Sequence, residues 1–110
     1  YDQANASYVR GQIYSGFGGS TDFIVGALHS RGGQSFMALH SWHPKANKSS
    51  IVPHLGENVT SFQHSYVATE QGLAACFGHS QEQQAANLIS VAHPDARDSL
   101  TEAAKQMGLL

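Results

Sequence analysis

Residues 15–23 read S-G-F-G-G-S-T-D-F, three glycines set between an apolar run and a segment with helical spacing. The run before them, Tyr8 to Tyr14 (Y-V-R-G-Q-I-Y), carries β-branched and aromatic residues and predicts a strand feeding the glycine loop. After them, Thr21-Asp22 offers a cap, and Phe23, Ile24, Ala27 and Leu28 recur at helical spacing, which predicts a helix over 23–30. Arg31-Gly32-Gly33 supplies its glycine stop. Strand, glycine turn and helix together mark an α/β unit, and local physics leaves two uses for the turn open. A helix N-terminus behind a loop without Cβ atoms presents N–H groups and the positive dipole end to an anion. A plain tight turn fits the same residues equally well. The dinucleotide fingerprint G-x-G-x-x-G does not, because it needs glycine where this chain has Thr21.

Working outward, Ser35 to Leu39 (S-F-M-A-L) predicts a short buried strand, and residues 40–50 a polar loop. Ile51-Val52 predicts a strand ended by Pro53, and Tyr66 to Thr69 a strand leading into the turn Glu70-Gln71-Gly72. Ser80 and Gln83 have capping-box spacing ahead of the apolar stripe Ala85, Leu88 and Ile89. Pro94 suits the first turn of a last helix, 95–107, stopped by Gly108. Strands alternating with helices predict one α/β domain over 1–110, with an open, mostly parallel sheet and flanking helices. No internal repeat or low-complexity segment interrupts it.

Composition excludes several partners. Charged residues make up 13% of the 110 positions and the formal net charge is −2, so there is no electrostatic footprint for nucleic acid or for an anionic membrane. No apolar run approaches transmembrane length. Charge this sparse fits a surface partly covered by another domain or subunit. Cys76 is the single cysteine, which rules out an intrachain disulfide and points to a reducing, cytoplasmic setting. Three N-x-S/T triplets start at Asn5, Asn47 and Asn58; with no signal peptide or disulfide framework beside them, we read them as coincidence. The chain opens without Met in mid-pattern, which predicts a piece of a longer protein.

Local chemistry is sparse. His40-x-x-His43, His54 and His64 match no zinc spacing and have no cysteine among them, so we expect solvated or backbone-bonded histidines and no metal. Cys76 lies between Ala75 and Phe77 and reads as a buried small hydrophobe, and no G-x-S-x-G elbow occurs. Lys45 and Lys48 share a loop with Trp42 and two histidines, a place to hold a phosphate or an ordinary solvated pair. His93-Pro94-Asp95-Ala96-Arg97 reads as a helix start. Thr69-Glu70, at a strand end, is the best-placed carboxylate in the chain.

In order and spacing, D-Q-x-N, S-G-F-G-G-S-T-D-F, S-S-I-V-P, Y-V-A-T-E-Q-G and L-I-S-V-A-H-P-D-A-R resemble the C-terminal domain of the acetyl-CoA hydrolase/transferase family. That family includes acetate, succinate and 4-hydroxybutyrate CoA-transferases. The resemblance runs from Asp2 to about Gly108. It implies a NagB-like fold, the C-terminal part of a two-domain cytoplasmic protein, often dimeric. Its substrates would be an acyl-CoA and a small carboxylate, with coenzyme A carried on a glutamate as a thioester. By motif, Gly19 becomes the oxyanion and CoA contact. Ser15, Gly16, Gly18 and Lys45 become CoA contacts, with Lys48 as the alternative to Lys45. The family's nucleophilic glutamate lies upstream, in an N-terminal half outside this chain. Glu70 is a different position, at the catalytic end but not the nucleophile, and the 110 residues alone are expected to be inactive. Where family members read T-E-Y-G and L-R-G-K-S, this chain has Glu70-Gln71-Gly72 and Cys76-Phe77-Gly78-His79-Ser80, and Gln84 replaces a common arginine. The segment before Tyr66, usually holding an arginine, is S-F-Q-H-S. That loss of positive charge keeps an alternative in view, a diverged non-catalytic module that binds CoA or oligomerises.

Overall fold

A computed structural model describes residues 2–57, 59–61 and 63–110, so Asn58, which opens the third triplet, lies outside the described residues. The chain begins with three short strands, β1 (Gln3–Ala4), β2 (Tyr8–Val9) and β3 (Gln12–Ile13), followed by helix α1 (Ser20–His29). Then come β4 (Phe36–Ala38), β5 (Trp42–His43), β6 (Lys48–Ser49), β7 (Thr60–Ser61), β8 (Tyr66–Thr69) and β9 (Gly72–Ala75). Helices α2 (Gln81–Ser90) and α3 (Pro94–Gln106) close the domain.

The centre is a three-stranded sheet in the order β4-β8-β9. β4 runs parallel to β8, with Phe36 opposite Tyr66 and Ala38 opposite Ala68, and β8 runs antiparallel to β9. One face buries Val67, Ala74 and Cys76 against Val91, with Met37, Leu39, Ile51 and Leu88 packed around them. A second cluster, Ala92, Ala96 and Leu100, joins α3 to α2 through Ile51 and Ile89. Alternation sends Phe36 and Tyr66 the other way, where their rings stack with centroids 5.2 Å apart. Three antiparallel pairs, β1–β7, β2–β3 and β5–β6, surround this sheet.

The expected mostly parallel sheet is therefore corrected to mixed sheets: among the described residues β4–β8 is the one parallel pair. Short connections are the reason, because the two-residue turn Glu70-Gln71 permits only antiparallel pairing. The strand expected over Tyr8–Tyr14 is instead a hairpin. Arg10 (φ 52°) and Gly11 (φ 74°) both adopt the left-handed conformation that a two-residue hairpin turn requires. The polar loop at 40–50 is likewise the β5–β6 hairpin, with Asn47 at φ 50° before β6. Ile51-Val52 forms no strand, since Ile51 packs into both core clusters instead.

Helix α1 starts at Ser20 with Gly19 as its cap, three residues before the expected start, and Thr21-Asp22 lie inside its first turn. Of its apolar residues only Ile24 is buried, and Phe23 is 82% exposed. After α1 the chain folds back so tightly that a Cβ on Gly33 would lie 2.2 Å from the Ala27 carbonyl oxygen. α2 and α3 form as their caps predict. The Ser80 hydroxyl accepts the Gln83 N–H (3.3 Å) while Gln83 Oε1 accepts the Ser80 N–H (3.0 Å). His93 Nδ1 accepts the Asp95 N–H at 3.2 Å ahead of Pro94. Among the described residues no helix is long and apolar enough to cross a membrane.

Candidate functional site

The glycine loop is anchored from behind. The Ser7 carbonyl accepts the N–H groups of Tyr14 (2.7 Å) and Ser15 (3.3 Å), and the Asn5 side chain brackets Tyr8 by accepting its N–H and donating to its carbonyl. Ser15 Oγ donates to the Gly16 carbonyl at 2.9 Å. Gly18 then takes φ +67°, which costs an L side chain energy, and Gly19 follows at φ −93° as the cap of α1. That cap makes no side-chain hydrogen bond, in contrast to the serine and histidine caps of α2 and α3. The first N–H groups of any helix have no acceptor within it, and here no side chain of the cap residue takes that place. A Cβ built at Gly16 or Gly18 meets nothing within 4 Å, so the loop backbone is open to approach. Thr21 Oγ1, in the same first turn, is buried without a hydrogen-bond partner among the described residues.

A second cluster forms where β4 and β8 end, the position at which open α/β sheets receive ligands. The ladder continues one step past β4, the Leu39 N–H donating to the Ala68 carbonyl at 3.0 Å. Glu70 then reaches back from the β8–β9 turn. Its carboxylate accepts the Ser41 N–H at 2.9 Å and also the Ser41 hydroxyl. Those two donors, the hydroxyl first, hold the Glu70 carboxyl down at about 2. Thr69 Oγ1 donates to the Val91 carbonyl (2.7 Å), the Gln71 N–H donates to Thr69 Oγ1 (3.0 Å), and Arg97 Nε donates to the Ala92 carbonyl (3.0 Å). Trp42 lies against His93 with ring centroids 4.8 Å apart. The T-E-Q-G and A-H-P-D-A-R segments thus tie the β8–β9 turn, the β5–β6 hairpin and the start of α3 into one unit.

Glu70 is therefore brought together with Ser41, a residue that sequence reasoning missed. Lys45 and Lys48 are exposed on the β5–β6 hairpin, and among the described residues no hydrogen bond links that hairpin to Ser15, Gly16, Gly18 or Gly19. The histidines separate. His40, His43 and His54 are exposed, whereas His64 is buried with Nδ1 2.7 Å from Asp2 Oδ1 and its N–H donating to Asp2 Oδ2 at 2.8 Å. Among the described residues no group of three or more histidine, cysteine or acidic side chains could hold a metal ion. Burial, with the Asp2 charge added, pushes the Cys76 thiol up to about 11, far from an activated thiolate.

A family model described as acetyl-CoA hydrolase/transferase C-terminal domain matches residues 1–104. The chain is 45% identical, over 86% of its length, to a succinyl-CoA:cyclohexane-1-carboxylate CoA transferase of Geobacter metallireducens. It is 45% identical, over 93% of its length, to a succinyl-CoA:acetate/propanoyl-CoA:succinate CoA transferase of Fasciola hepatica. The chain spans 22% of the length of each of these relatives. A solved structure of a RipA mutant superposes with a TM-score of 0.90 at 39% identity, over 96% of this chain and 24% of that one.

Proposed function

Because this chain belongs to the acetyl-CoA hydrolase/transferase C-terminal domain family, we propose that it is the C-terminal domain, NagB-like in architecture, of a protein that moves CoA between an acyl-CoA and a carboxylate. The observation that carries the reading is the N-terminus of α1, which a glycine caps without a side chain behind an open glycine loop.

In the proposed reaction, a glutamate from the remainder of the parent protein attacks the thioester carbonyl. Its C–S bond breaks, giving an acyl-glutamyl anhydride and the CoA thiolate. The thiolate then attacks the glutamyl carbonyl, the acyl group leaves as a carboxylate, and CoA rides on the glutamate as a thioester. An acceptor carboxylate reverses both steps, or water ends them by hydrolysis. Each addition places a negative charge on a former carbonyl oxygen, and the Gly19 N–H is the donor aimed at it. One such donor is worth about 3 kcal/mol in other oxyanion holes. Ser15, Gly16 and Gly18 line the CoA path and Lys45 meets a phosphate. Every residue from Val9 to Ser20 is exposed, Ile13 at 73% and Tyr14 at 81%, which supports the rest of the parent protein covering this edge.

The test is calorimetry with CoA on the full-length protein, followed by exchange of CoA between an acyl-CoA and labelled acetate or succinate. Binding with exchange or hydrolysis is expected. Binding without either would transfer the assignment to a non-catalytic CoA-binding module, and the absence of binding would end the CoA reading.

A further inference from the structure

We propose that Ser41 is a positioning residue for CoA binding, held by Glu70 so that the β5–β6 hairpin presents Lys45 and Lys48 in a fixed direction. The inference rests on the CoA reading above and names a residue that the family motifs did not bring forward.

The hairpin cannot orient itself. It consists of two paired positions, Trp42 with Ser49 and His43 with Lys48, too few to be stable without external support. Its direction is therefore set at its base, and the base is Ser41. This serine is 0% exposed, and three separate contacts converge on it. Its carbonyl accepts the Ser50 N–H at 3.0 Å, which closes the hairpin from within. Its own N–H and hydroxyl both donate to Glu70, which fixes the hairpin to the β8–β9 turn. Next to it Trp42 rests on His93 at the start of α3. Weakening the Glu70 acceptor, or removing the hydroxyl it holds, loosens this anchor and leaves the hairpin's direction to the Ser41 N–H and the Trp42–His93 contact.

The charge pattern says what the hairpin is aimed at. Residues 40–56 carry Lys45, Lys48 and three histidines and no acidic residue. The nearby acid, Glu70, is turned onto the Ser41 donors, and among the described residues no ion pair joins its carboxylate to Lys45 or Lys48. A cationic tip on a short, base-clamped ribbon suits a polyanion such as the phosphates of CoA.

The experiment compares the full-length wild type with Ser41→Ala, Glu70→Gln, the pair Lys45→Ala/Lys48→Ala, and each clamp variant in the lysine-free background. Ser41→Ala and Glu70→Gln should each raise the KM for acyl-CoA and the Kd for CoA about fivefold with kcat nearly unchanged. That factor is the ~1 kcal/mol of an exposed lysine–phosphate contact converted at about 1.4 kcal/mol per tenfold. Amide exchange over residues 42–49 should accelerate in both variants. In the lysine-free background the fivefold effect should vanish. An undiminished effect there would mean that Ser41 acts on folding alone, and an unchanged KM despite faster exchange would mean that hairpin direction does not matter; either overturns the proposal. Should Ser41→Ala not fold, Glu70→Gln leaves the buried serine in place and carries the same test. A wild type that does not bind CoA refutes the underlying reading instead, so the two failures are distinguishable.

Discussion

Replacing Gly19 by alanine separates chemistry from folding, because the structure makes room for the methyl group. Gly19 has φ −93° and ψ 7°, which an L residue adopts without strain, and its new Cβ would meet only Phe23 Cε2 at 3.9 Å, an ordinary contact. Phe23 is itself largely exposed and free to yield. Alanine is a poorer helix cap than glycine, and cap substitutions typically cost about 1 kcal/mol, partly offset by the lower entropy of the unfolded chain. The expected change in unfolding free energy is therefore below about 1 kcal/mol. The methyl, however, stands beside the N–H that the proposal aims at the tetrahedral oxygen. If it holds the substrate off that donor, turnover falls by about two to three orders of magnitude, the loss seen when an oxyanion donor is removed. The assay is CoA exchange by the full-length protein, paired with urea unfolding of the same preparation. Turnover within threefold of wild type removes Gly19 from the oxyanion role, while a stability loss above about 2 kcal/mol refutes the steric reasoning.

The neighbouring glycine turn should behave in the opposite way. Gly33→Ala drives a methyl into the Ala27 carbonyl and should destabilise the α1–β4 reversal by about 1–3 kcal/mol, read from the urea midpoint; an unshifted midpoint would contradict the close approach. Thr21→Val removes a buried hydroxyl with no partner among the described residues and should be neutral or slightly stabilising, so a loss beyond about 1 kcal/mol in the same assay would reveal a hydrogen bond. The Glu70 carboxyl, ordinarily near 4.5, should titrate near 2 when its side-chain carbon is followed by NMR. Its folded value is depressed, so its contribution to stability is complete above the unfolded value and is lost as pH falls through about 2. An inflection at pH 4 to 5 would mean the Ser41 donors are not engaged.

What the sequence made legible was whatever a residue decides with its near neighbours. The capping box at Ser80 and Gln83, Pro94 at the start of α3 and Gly108 at φ 72° after its end are local devices, and the starts of α2 and α3 and the end of α3 follow from them. β4 and β8 were legible because their apolar runs are bounded by polar turns. Pairing was not legible. β9 reads G-L-A-A, with no β-branched or aromatic residue, and becomes a strand only because β8 lies across a two-residue turn. β1 pairs with β7 over more than fifty residues, beyond any local pattern. The candidate site divides along the same line. The glycine loop was visible because glycine has a conformational meaning of its own, but the Ser41–Glu70 contact joins residues 29 apart in two unrelated turns. The only trace it left was a serine beside the single tryptophan.

The pairing of Asp2 with His64 bears on the order in which the chain assembles. The two residues are 62 positions apart, and β1 joins β7 over a similar span. Closing a loop of that length costs on the order of 4 kcal/mol of chain entropy, so the helices and the β8–β9 hairpin, whose contacts are local, form ahead of it. On a ribosome the delay is also one of supply. At about 5–20 residues per second, His64 follows Asp2 out of the synthesis machinery by roughly 3–12 s. For that interval Asp2 and β1 lack the partners that hold them in the folded domain, His64 and β7, so the first strand of the domain to be made waits for one made much later.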